Sequence, residues 1–88
     1  MTISGKQVTA ARDLIGLTQA ELAEAAGVGM HTVRRFEAGQ AEPHAGTLDK
    51  IVSELEKRGI EFTNGDKPGV RLNLAKAAEY SRQISQNA

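Results

Sequence analysis

Cysteine is missing from this 88-residue chain, which excludes disulfides and thiolate-bound metal and makes a reducing cytoplasm the natural setting. No apolar run approaches the roughly 18 residues that a membrane span needs. The N-terminus has neither the charged nor the apolar block of a signal peptide. The histidines, His31 and His44, stand apart, and no pair of carboxylates falls in an arrangement suited to acid–base work. No metal site, cofactor or catalytic residue is therefore predicted, and an enzyme is not expected. Net charge is also lacking, since 11 basic residues balance 11 acidic ones. That balance counts against nucleic-acid binding, where neutralising phosphates supplies much of the affinity. Placement still matters more than the total, because a local basic stripe can dock while acids sit on the far side.

What is present is a dense series of helix signals in one small, soluble, cytoplasmic domain. Ser4 and Gln7 have capping-box spacing, and Val8, Ala11, Leu14 and Ile15 follow at helical intervals until Gly16. Thr18 and Glu21 repeat the box ahead of Leu22, Ala23 and Ala26, with Gly27 as terminator. Between Gly29 and Glu37 only Val33 and Phe36 form an inward stripe, and Gly39 ends the segment. Pro43 precedes a helix over about 44–58, where Leu48, Ile51, Val52 and Leu55 give the clearest periodicity in the chain.

The period then drops to two. Ile60 and Phe62 alternate with polar residues, "NGDKPG" intervenes, and Val70, Leu72 and Leu74 alternate again. This predicts a β-hairpin with one apolar face, and "GDKPG" reads as its turn, too irregular for a phosphate loop. Beyond it, Ala77, Tyr80 and Ile84 sit at near-helical spacing with Asn73 as a cap, so the tail is a weak helix or a frayed end. The divisions expected are 1–59, 60–74 and 75–88.

A helix, a tight turn at Gly27 and a second short helix describe a helix-turn-helix unit. The small Ala23 lets the helices approach, while Val28, Val33 and Phe36 anchor the second. Its outer edge can then enter a groove about 12 Å wide. Spacing alone leaves an ordinary αα-hairpin open.

The residues "TQAELAEAAGV…TVRRFEAGQ…P…TL" resemble the Cro/CI-type (Xre-family) helix-turn-helix domain of phage repressors and bacterial regulators, over about residues 4–58. The resemblance implies a mainly α fold of four to five helices, here with a C-terminal β-hairpin and a weak terminal helix. It implies a third helix lying in the major groove of double-stranded DNA, and dimers that read two half-sites. Thr18 and Gln19 fall where that family meets phosphate, and Gln19 also where it braces the reading helix. Met30, His31 and Arg35 match base-reading positions, with Gly29, Thr32 and Arg34 flanking them. Arg12 and Glu37 match a buried ion pair joining helices 1 and 3.

Arginine can grip guanine O6 and N7 bidentately, and methionine can touch a thymine methyl. Gly29 replaces the Ser or Thr that often caps the reading helix, a weaker but tolerable cap. Gln40 and His44 occupy a loop that often carries basic phosphate contacts. Dimerisation would have to offset this thin basic surface.

Ile60, Phe62, Val70 and Leu72 need a covering surface, because two strands alone are marginal in water. They either cover helices 1 and 4 of their own domain or build a homodimer through paired strand edges. The function these features imply is a DNA-binding transcriptional repressor. The competing reading is an interaction module of the same fold, such as an antiactivator, that binds a regulator protein through hairpin or tail.

Overall fold

The computed structural model describes residues 2–87; Met1 and Ala88, at the outer ends of the first and last divisions, lie outside the described residues. Five helices and one hairpin follow in order: α1 Gly5–Ile15, α2 Gln19–Ala26, α3 Met30–Glu37, α4 Ala45–Lys57, β1 Ile60–Thr63, β2 Gly69–Leu72 and α5 Leu74–Asn87. None of these helices is long and apolar enough to cross a membrane.

Both capping boxes form. The Ser4 hydroxyl accepts from the Gln7 amide at 3.2 Å, and Gln7 Oε1 accepts from the Ser4 amide at 2.9 Å. Thr18 and Glu21 exchange the same two bonds at 3.0 and 2.9 Å. The Thr18 backbone N–H, and then its hydroxyl, hold the Glu21 carboxyl below its ordinary range.

The core is built from Val8 and Ala11 of α1, Leu22 of α2, Val33 of α3 and Ile51 and Leu55 of α4, all fully buried. Leu14 departs from its apolar spacing and is 48 % exposed. Gly16 turns the chain away just beyond it, and only Ile15 of that last turn reaches the core.

The hairpin lies between α4 and α5. Its antiparallel register sets Ile60 opposite Leu72 and Phe62 opposite Val70. These four side chains share one face and pack against the core, between α1 and α4. The outer face carries an Arg71–Glu61 pair at 2.8 Å. Gln7, a buried polar residue of α1, donates from Nε2 to the carbonyls of Thr63 at 2.8 Å and Gly69 at 3.1 Å. One amide thereby bolts both strands to the first helix. Packing runs straight across the 59/60 division.

The tail is a continuous helix through its described length. Asn73 caps it, accepting from the Lys76 amide at 3.0 Å, while its own amide nitrogen donates to Glu61. Tyr80 leans on the end of α4, with the Arg58 guanidinium 4.9 Å from the ring centroid. Leu74 and Ile84 remain 74 % and 49 % exposed.

Candidate nucleic-acid interface

Gly27 makes the turn between α2 and α3, at φ 72°, a left-handed conformation that costs glycine almost nothing. The chain then enters α3 through Gly29, which offers no side-chain cap, as glycine must. Once started, α3 is sharply two-sided. Val33 and Phe36 are buried, while Met30, His31, Arg34 and Arg35 are exposed, and Thr32 is intermediate between the two edges.

A single carboxylate holds this helix in place. Glu37 Oε1 accepts from Arg12 Nη2 at 2.7 Å, Thr9 Oγ1 at 2.8 Å and Gln19 Nε2 at 3.0 Å. Glu37 Oε2 accepts from Arg12 Nε at 2.7 Å. Arg12 Nη1 reaches on to the Leu17 carbonyl at 2.9 Å, so α1, the first connector, α2 and α3 meet at one point. The Arg12 and Glu37 side chains are only 12 % and 5 % exposed. Burial pushes the Glu37 carboxyl up, yet the bonds from Arg12, Gln19 and Thr9, with the Arg12 charge, outweigh it and hold the carboxyl below its usual range. The bond to Glu37 raises Arg12 in return. Arg12 is thus an architectural residue, its Nε, Nη1 and Nη2 all engaged within the protein although it also borders the open surface beside Thr18 and Gln19.

A second constraint comes from Gly5. A Cβ there would lie 2.1 Å from the Phe36 carbonyl oxygen and 2.9 Å from the Glu37 Cα. The first turn of α1 therefore rests backbone against backbone on the last turn of α3. Any other residue would push α3 aside.

The residues expected to touch DNA fall into two adjoining groups. Thr18, Gln19 and Met30 line one open surface, where the N-terminus of α2 meets that of α3. His31, Thr32 and Arg35 line the next, a groove of about 250 Å³ facing His44 and Thr47 at the start of α4. Arg34 projects from the same exposed edge, its Nη2 2.7 Å from His31 Nδ1. Gln40 is not gathered with them; it lines a separate cleft with Ser4, Lys6 and Glu42. One N–H of the Gln19 side-chain amide is given to Glu37, which leaves its second N–H, its carbonyl oxygen and the backbone amides opening its helix for an outside partner.

Sequence reasoning missed Thr9, Gly5 and Thr47. Thr9 supplies a donor to Glu37 across 28 positions, and no local pattern announces such a bond. Gly5 looked like an ordinary first-turn residue, and its signal was a glycine where helix propensity alone would favour alanine.

This arrangement defines a small helix-turn-helix domain with an exposed polar edge on α3. A sequence model with the description Helix-turn-helix matches residues 8–62, well over half of the chain. The chain belongs to this helix-turn-helix family, of the Xre/Cro/CI type, which is a DNA-binding family rather than an enzyme family. The matched stretch runs into β1 and includes Ile60 and Phe62. No curated protein matches the chain.

Proposed function

We propose that this protein is a transcriptional repressor of the cytoplasm, which occupies an inverted-repeat operator as a homodimer and blocks polymerase. The observation that carries the reading is the two-sided α3. Its buried edge, Val33 and Phe36, and the Glu37 hub hold it still, while Met30, His31, Arg34 and Arg35 face outward together. In this reading Arg35 grips guanine and Met30 meets a thymine methyl. Thr18 and the amides opening α2 take a phosphate, a contact suited to a helix N-terminus. Gly29, Thr32 and Arg34 flank the base contacts, and Gln40 adds a backbone contact at the rim. The half-sites are expected to lie about 34 Å apart.

Titration with short duplexes at several salt concentrations tests this. Sequence-dependent binding with a log–log salt slope of several units is expected. Arg35→Ala should weaken the preferred site by about 5- to 150-fold, the worth of a bidentate arginine–guanine contact, and should affect random duplexes far less.

A second reading is favoured by a specific observation. Residues 38–44, the loop beside the exposed edge of α3, contain no Lys or Arg, while Leu74 and Ile84 stand exposed on α5. Those features suit a protein-binding antiactivator. The same titration decides, since that module would bind no duplex even at low salt with α3 folded by NMR.

A further inference from the structure

We infer that Arg34 is a positioning residue that fixes the tautomer of His31, so that His31 presents a single N–H donor to the DNA and selects a base edge bearing acceptors, guanine first. The inference rests on the DNA-reading role proposed above and deepens it.

The argument begins with the 2.7 Å contact between Arg34 Nη2 and His31 Nδ1, one helical turn apart on the exposed edge of α3. A guanidinium has donors only. The bond therefore requires Nδ1 to supply the lone pair, which puts the imidazole proton on Nε2, on the other side of an exposed ring. Across the groove, His31 faces Arg35 of its own helix, with Glu42 and His44 of the following loop. None of these is hydrogen-bonded to the His31 ring among the described residues, so Arg34 alone sets the tautomer.

The consequence for recognition is chemical. In the major groove, guanine shows two acceptors and no donor, whereas cytosine shows only a donor. Adenine shows one acceptor beside an amino donor, and thymine one acceptor beside a methyl group. A histidine locked with Nε2–H outward can donate to guanine N7 or O6 and has nothing to accept from cytosine N4. Without the lock, the ring can present either a donor or an acceptor, and the distinction blurs. The bond also occupies Arg34, leaving Arg35 as the α3 guanidinium with no hydrogen bond or ion pair among the described residues.

Two measurements on the full chain test this. The first is long-range proton–nitrogen NMR of the labelled protein, about two pH units above the ordinary imidazole value of about 6.5. His31 is expected wholly as the Nε2–H tautomer, while His44, which makes no such bond, serves as the internal reference for a tautomer mixture. Arg34→Met should move His31 toward the His44 pattern, and Arg34→Lys, which keeps a donor and the charge, should restore the lock. The second measurement selects the preferred duplex from a randomised pool and substitutes each base pair in turn. One guanine-containing pair should lose about 3- to 10-fold of its preference in Arg34→Met, as when one hydrogen bond is lost, and Arg34→Lys should recover it.

A His31 tautomer mixture in the wild type, or a tautomer unmoved by Arg34→Met, overturns the lock while leaving DNA binding intact. Uniform weakening across all sequences in Arg34→Met, with no change at any single pair, overturns the reading step. Wild-type protein that binds no preferred duplex at all overturns the repressor reading itself, and the inference with it.

Discussion

Replacing Glu37 with glutamine changes one heavy atom at the point where three helices meet. Oε1 serves three donors, so the amide oxygen must remain there. The new amide nitrogen then faces Arg12 Nε, donor against donor, in place of a 2.7 Å charge-assisted bond. Such a bond contributes about 1.5–3 kcal/mol. The guanidinium, only 12 % exposed, also loses its counter-charge. Breaking a buried pair costs about 3–5 kcal/mol. Three of the four bonds survive in weaker form, and Arg12 keeps the Leu17 carbonyl, so the expected loss is about 3 kcal/mol.

At about 0.05–0.15 kcal/mol per residue, a domain of this length has about 4–13 kcal/mol of stability in all. Urea unfolding followed by far-UV circular dichroism should show the loss directly, and the melting point should fall by about 12–24 °C. Adding Arg12→Met to Glu37→Gln removes the stranded cation, so the double variant should be at least about 1.5 kcal/mol more stable than the sum of the single losses implies. A Glu37→Gln loss below about 1 kcal/mol, or simple additivity, would refute the hub as the element that seats α3.

Acid should attack the same place. The folded Glu37 carboxyl sits below its ordinary 4.5, so its contribution is complete above that value and is lost as the pH falls through the depressed folded value; Glu37→Gln should flatten the acid limb of stability measured by urea midpoints. Gly5→Ala should cost about 1–3 kcal/mol or more, because the atoms it meets are backbone, and it should weaken duplex binding beyond its effect on folding. Gly46→Ala, with nothing within 4 Å of its added Cβ, should instead be stabilising by up to about 1 kcal/mol, as thermal melts would show. Sedimentation should find a concentration-dependent homodimer; a wild type monomeric at high concentration would sink the dimer.

Much of the helical frame is legible in the chain because it is decided locally. The two capping boxes, the apolar period of α4 and the alternation of β1 and β2 each lie within a dozen residues, where spacing maps directly onto a helix face or a strand face. The seat of α3 is different. Periodicity says nothing of a bond between Arg12 and Glu37; only the family likeness paired them. Thr9, Gly5 and the amide of Gln7 act across 28 to 62 positions, and a linear pattern carries no trace of which distant carbonyl a side chain will meet. The tail fails for the opposite reason. Its helix signal is weak because Leu74 and Ile84 have no apolar surface opposite them, yet Asn73 and Tyr80 give it a firm start.

The bolt between Gln7 and the hairpin has a consequence for how the molecule is made. Gln7 leaves the ribosome well before the carbonyls that satisfy it, on Thr63 and Gly69, which arrive 56 and 62 residues later. Ile60, 1 % exposed in the finished core, is equally late. A nascent chain halted at Gly59 already holds every residue of the helix-turn-helix, yet its first helix would carry a stranded amide and an uncovered apolar flank. The firm seating of the first helix therefore waits on the translation of the hairpin.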